Sequence, residues 1–195
     1  RIKKNLPNIS SVNKVNWMDL DLVFLSLPNG EAQKLIKSIY FKNKNLKFID
    51  LSADFRITNI KTFKKNYNFK HKAKHLIKDS FYSIPELNNQ KINKFRIISN
   101  PGCYPTSIQI PLIPLLQKKL IESKNITIDS KSGYSGAGKN YKKKFKFENF
   151  YLSTYAYGIK KHRHIGEIDQ EFKKISKNIL YSFNPHLIPS FRGIL

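Results

Sequence analysis

Cysteine is almost absent. The chain's 195 residues hold one, Cys103, so no internal disulfide can form, and a reducing, cytoplasmic location is the expectation. Long hydrophobic runs are missing as well. The longest, DLVFLSLP (21–28), falls far short of the roughly eighteen apolar residues that a bilayer-spanning helix needs. The opening RIKKNLPNISS lacks the apolar region of a secretory signal, so no membrane partner is expected. Acidic residues are scarce: 13 Asp and Glu stand against 36 Lys and Arg, a net charge of +23. Such an excess suits nucleic acid, and KTFKKNYNFKHKAKH (61–75) and KKKFKFENF (142–150) interleave lysines with aromatics as single-strand binders do. The lysines are nevertheless scattered along the whole chain beside many Asn and Ile, the pattern an A/T-rich genome produces. A basic nucleic-acid-binding module is therefore the alternative reading, and no nucleic-acid partner is expected. A diffuse positive field also draws in small anionic substrates. Finally, neither GxGxxG nor GxxGxxG follows a strand, so the chain does not contain a full dinucleotide fingerprint.

What is present reads as globular: 40% of the residues are hydrophobic, with 14 Phe and 10 Tyr. DLVFLSL (21–27) is a continuous apolar run, as in a buried parallel strand. After PNG, EAQKLIKSIYFKN places Ala32, Leu35, Ile36, Ile39 and Tyr40 at helical spacing. LKFIDLS (46–52) and, after a basic aromatic excursion over 55–94, FRIIS (95–99) read as further strands. Strand–helix–strand order predicts a parallel, doubly wound α/β sheet, with ligands gathering at the carboxyl ends of its strands. LPNG (27–30), DLSADFR (50–56) and SNPGCYPT (99–106) lie there. The helix after Cys103 carries Pro111 and Pro114, which should kink or split it. Beyond residue 124 the texture changes: NITIDSKSGYSGAGKN reads as a strand entering a Gly-rich loop, and IGEIDQEFKKISKNIL (165–180) as a helix. The boundary is placed at 101–103, giving units 1–102 and 103–195. Neither looks complete, so the chain reads as an internal fragment of a longer enzyme.

Cys103 has the strongest local context. Pro101 and Gly102 set a tight turn and Pro105 suits a first helical turn. A thiol there meets free N–H groups and the positive end of a helix dipole, which stabilise a thiolate, an oxyanion or a phosphate. The opposing reading is an inert buried cysteine. HRHIGE (162–167) supplies two imidazoles and a carboxylate; no third ligand stands near, so no metal site is expected. It could equally be a solvated loop with Glu167 capping a helix. SGYSGAGKN (132–140) would let a backbone approach a phosphate or nicotinamide, although flexible loops share that composition. DLSADFR reads as a local Asp–Arg turn that orders its loop, and His71 and His75, among lysines, read as solvated.

Taken together, LPNG, DLSADFR, NPGCYPT, SGAGK, HRHIGE and NPHLIPSFRGIL resemble, in order and from about Asp21 to Leu195, the N-acetyl-γ-glutamyl-phosphate reductases of arginine biosynthesis. The resemblance implies an incomplete Rossmann-type domain, the C-terminal portion of an NADP-binding unit, over 1–102. Part of an α+β semialdehyde-dehydrogenase-type catalytic and dimerisation domain would follow over 103–195. It implies NADPH-dependent reductive dephosphorylation of a small acyl phosphate, with release of inorganic phosphate. Cys103 would be the nucleophile and His162 the acid/base, with Asn100, His164 and Glu167 at the substrate. Leu27, Pro28, Ser135, Gly136, Ala137 and Gly138 would lie at the NADP(H) cofactor. A homo-oligomer is implied for the complete enzyme, and no activity for these residues alone. Relatives that act on a carrier-protein-linked acyl phosphate are the alternative within the family. Asn29, Lys139 and Gly166 depart from its usual His, Arg and Pro.

Overall fold

The computed structural model describes residues 8–137 and 153–195. The sequence pattern converts into two sheets. The first contains β1 (Leu22–Leu25), β2 (Lys47–Asp50), β3 (Ser80–Tyr82) and β4 (Ile97–Ser99), in the order β1-β2-β4-β3. All three pairings are parallel, with Leu25 opposite Asp50 and Asp50 opposite Ser99. Their carboxyl ends therefore share one edge, where the three candidate loops begin. Helix α1 (Glu31–Ile39) buries Ala32, Ile36 and Ile39, one face at helical spacing, against Phe48 and Ile97 of the sheet. Helices α2 (Ile60–Tyr67) and α3 (Pro85–Asn88) flank β3 in the chain.

Strand β3 was not expected. Its three residues, SFY, are too few to show a period, and a strand that adds to β4 by parallel pairing needs no local turn signal.

Helix α4 (Cys103–Gln117) runs through Pro111 and Pro114 in one piece, so of the expected kink or split the split does not occur. Proline removes a donor and crowds the preceding turn. Here Pro111 is exposed, and Ile108, Gln109, Ile113 and Leu116 stay buried on the opposite face. That burial offsets the lost bonds. Helix α4 packs on α5 (Ile165–Ile175), whose Ile168 and Phe172 are almost fully buried. The second sheet lies beyond them: β5 (Ile126–Gly133), β6 (Tyr155–Ala156) and β7 (Tyr181–Ile188), in the order β5-β7-β6. β5 and β7 run parallel for eight paired residues, and β6 is antiparallel to β7.

The DLSADFR loop is not a local Asp–Arg turn. Asp50 accepts the Ser52 N–H at 2.9 Å, while Asp54 leaves the loop to cap α1. The Asp54 carboxylate accepts the Gly30 N–H at 2.7 and 2.9 Å and the Gln33 N–H at 3.1 Å. Gly30 sits at φ +89°, a conformation that suits glycine, and brings no capping side chain of its own. Asp54→Ala is accordingly expected to cost about 2 kcal/mol, a buried cap removed with its donors left unpaired; urea denaturation of the two chains measures it.

His71 is buried, not solvated: its Nε2 lies 2.9 Å from the Asp54 carbonyl and its ring meets Phe55 and Phe63 edge-on. The flanking lysines point out and hid a buried position in the sequence. His75 is exposed and stacks on Phe41.

Candidate active site

Cys103 is the first residue of α4, with Gly102 as its N-cap. The chain arrives from β4 through Asn100 and Pro101, so sheet and helix fix the turn from both sides. His164 caps α5 in the same way, and the two helix N-termini come together. A Cβ on Gly102 would lie 2.6 Å from His164 Nε2 and 3.0 Å from Arg56 Nη1. Only glycine fits between them.

Glu167 binds this corner together. Fully buried, its Oε2 accepts the Gly102 N–H at 2.9 Å and stands 3.3 Å from the Tyr82 hydroxyl. Its Oε1 lies 3.4 Å from Arg56 Nη1 and 3.9 Å from His164 Nε2. Arg56 in turn donates from Nε to the Asn100 carbonyl at 2.8 Å and from Nη2 to the Leu51 carbonyl at 3.0 Å. One guanidinium thus ties the end of β2, the turn before Cys103 and the carboxylate of α5. Burial pushes the Glu167 carboxyl up from the usual carboxylate range; Arg56 and the Gly102 and Tyr82 bonds oppose it. The loop reading, in which Glu167 would merely cap its own helix, does not hold: its carboxylate caps the approach to α4.

Cys103 opens on a cavity of about 520 Å³ that it shares with Tyr104, Ser132, Gly136, His162 and His164. Tyr104, Tyr157 and Phe183 present ring contacts to His162, and His164 meets its edge at 4.8 Å between centroids. Burial lowers His162 to about 4, with Arg163 adding to the effect, and lowers His164 to about 2, with His162 and Arg56 adding. Both rings are neutral at physiological pH. The His164 N–H donates to His162 Nδ1 at 3.2 Å, so the His162 lone pair is engaged at Nδ1 and its proton sits on Nε2.

The helix start was expected to favour a thiolate. Burial instead pushes the Cys103 thiol up, outweighing the downward pull of the Tyr104 and Cys103 N–H groups and Arg56, while Glu167 pushes up as well. With the pKa raised, thiolate is the minor form at neutral pH and grows with pH. Alkylation of Cys103 by iodoacetamide is therefore expected to rise about tenfold per pH unit from pH 7 to 8.5. A rate already level at pH 7 would show an ionised thiol.

The other sequence-derived positions divide. Asn100 donates its backbone N–H to the Asp50 carbonyl at 2.8 Å and its carboxamide to the Pro101 carbonyl at 3.1 Å. Leu27 and Pro28 lie in the loop after β1, on the sheet's carboxyl edge but outside the Cys103 cavity. Ser135 and Gly136 form a single 3₁₀ turn with Tyr134 and Ala137 directly after β5. Gly138, Lys139 and KKKFKFENF lie outside the described residues. Tyr82, Gln109 and Tyr104 went unremarked in the sequence, where single Tyr and Gln residues carry no motif. Arg56 was marked, but for a local role.

The fold, with a thiol at a helix start between two joined units, is that of a semialdehyde dehydrogenase. Residues 2–95 match the family model described as "Semialdehyde dehydrogenase, NAD binding domain", and residues 103–195 match "Semialdehyde dehydrogenase, dimerisation domain". The chain belongs to the semialdehyde dehydrogenase family. A solved aspartate semialdehyde dehydrogenase II from Vibrio cholerae aligns over 95% of this chain and 56% of its own, with a TM-score of 0.66 at 18% identity.

Within that family, the chain matches curated proteins named N-acetyl-gamma-glutamyl-phosphate reductase. The protein of that name from Afipia carboxidovorans is 42% identical over 97% of this chain and 55% of its own length. The probable chloroplastic one from Arabidopsis thaliana is 41% identical over 98% and 47%. The chain thus spans about half the length of the curated relatives it matches.

Proposed function

We propose that this chain is part of an NADPH-dependent N-acetyl-γ-glutamyl-phosphate reductase, with Cys103 as nucleophile. The observation that carries the reading is the joining of two helix starts by Glu167, which sets Cys103 and two neutral histidines around one cavity. Free N–H groups at the start of α4 suit the oxyanion that forms when a thiolate attacks an acyl phosphate. The C–O bond to phosphate breaks, inorganic phosphate leaves, and a thioester remains on Cys103.

Gly136 supports a cofactor at the same cavity. A Cβ there would collide with Ser132 Oγ, so the loop packs tightly on β5 where it lines the cavity, and this is where a nicotinamide ring would sit. Leu27, Pro28, Ser135, Ala137 and Gly138 would complete the contacts that hold the cofactor, which when bound and reduced would supply a hydride to the thioester carbon. His162, neutral and carrying its proton on Nε2, donates a hydrogen bond from there to the oxygen that gains charge. The tetrahedral alkoxide would then collapse to the aldehyde as its C–S bond breaks and Cys103 leaves as thiolate. His164 meets the substrate in the cavity, Asn100 and Glu167 hold the turn that presents Cys103 to it, and the complete enzyme works as a homo-oligomer.

The test uses the full-length protein. NADPH is expected to be consumed with N-acetyl-γ-glutamyl phosphate, one phosphate appearing per NADPH. Phosphate release without NADPH consumption, or no reaction with this substrate, contradicts the proposal. The 195 residues alone are expected to show no turnover.

A further inference from the structure

A second cavity, of about 720 Å³, shares no lining residue with the Cys103 cavity. Two of its walls nevertheless touch the active-site carboxylate. The Tyr82 hydroxyl stands 3.3 Å from Glu167 Oε2 and 3.3 Å from Gln109 Oε1, two acceptors for one proton. Gln109 donates from Nε2 to the Glu167 carbonyl at 3.4 Å. Both side chains are buried. Glu167 in turn holds the Gly102 N–H, one residue before Cys103. A short chain of polar contacts therefore runs from this cavity to the thiol.

The lining has a definite chemistry. Lys174 is paired with Glu171 at 2.6 and 2.7 Å, so the charges the cavity offers a ligand are those of Lys91 and Glu86, both exposed, over an apolar floor that includes Ile84 and Ile113. A simple anion or cation would meet a like charge as well as an opposite one. A molecule carrying both charges meets a partner for each, and the volume lies within the range of small-ligand pockets.

We propose that this cavity is a second binding site, for a zwitterion of amino-acid size, and that its occupancy is read at Cys103 through Tyr82, Gln109 and Glu167. A ligand that offers the Tyr82 hydroxyl a new acceptor, or engages Gln109, removes a bond from Glu167. The hold on Gly102 and the start of α4 changes with it.

The readout is the rate of Cys103 alkylation by iodoacetamide, which needs no turnover and so separates this proposal from the choice of substrate. The twenty free amino acids are added singly, at millimolar concentration, to the full-length protein. At least one is expected to change the rate by roughly fivefold or more. Lys91→Glu, on the cavity's exposed rim, is expected to abolish that response and leave the rate without amino acid unchanged. Tyr82→Phe is expected to keep binding, followed by calorimetry, and to lose the response. No response to any amino acid, a response unaltered in Lys91→Glu, or binding that leaves the thiol's rate unchanged would each overturn the proposal.

Discussion

Cys103→Ser in the full-length protein is expected to lower turnover by roughly a thousandfold or more while leaving stability within about 0.5 kcal/mol. The side chain is at the cavity surface and little packing is lost. What disappears is the nucleophile. A serine hydroxyl ionises far above the working range, and nothing at this corner compensates. Burial already pushes even the thiol upward, and both histidines are neutral, with His162 engaged at Nδ1. The same variant separates the two classes of reading. RNA affinity that falls with salt and survives the substitution would mark a nucleic-acid-binding module; loss of NADPH oxidation marks the enzyme.

Arg56→Met is expected to destabilise the chain by about 3–5 kcal/mol, because it leaves the Glu167 carboxylate buried without its cation. The loss reaches further than one ion pair. The guanidinium also satisfies the Leu51 and Asn100 carbonyls, so the end of β2 and the turn before Cys103 lose their tie. Thermal denaturation reads the stability, and the double variant Arg56→Met with Glu167→Gln separates the two effects. If the unpaired charge dominates, neutralising Glu167 recovers a large part of the loss. If the two carbonyls dominate, it recovers little. Glu167→Gln alone keeps the side chain's size, but whichever way its amide turns its Nε2 faces the Gly102 N–H or Arg56 as donor against donor.

How much of this was legible in the sequence depended on the range of the interaction. The parallel sheet followed from apolar runs such as DLVFLSL and FRIIS alternating with an amphipathic helix, because each pattern is local. The three loops at its carboxyl edge followed from the same order. Cys103 at a helix start was legible from Pro101, Gly102 and Pro105. What the sequence did not show were the consequences of long-range contact. Arg56 and Glu167 are 111 positions apart, and each had a plausible local partner. Asp54 likewise looked like part of its own turn, yet it caps a helix that begins 23 residues earlier. The unbroken α4 belongs to the same class. Local chemistry at Pro111 and Pro114 predicted a kink or a split, and packing against α5 keeps the helix in one piece. The direction of the Cys103 shift depended on how deeply the fold sets the thiol, which no motif encodes.

The central claim is that Cys103 carries the acyl group. It is tested most directly by mass spectrometry of the full-length protein incubated with N-acetyl-γ-glutamyl phosphate in the absence of NADPH. The expected result is one N-acetylglutamyl group on the peptide that contains Cys103, bound as a thioester. Neutral hydroxylamine should release it, and it should be absent from Cys103→Ser. An unmodified Cys103 in protein that still consumes NADPH with this substrate, or acylation at another residue, would contradict the account.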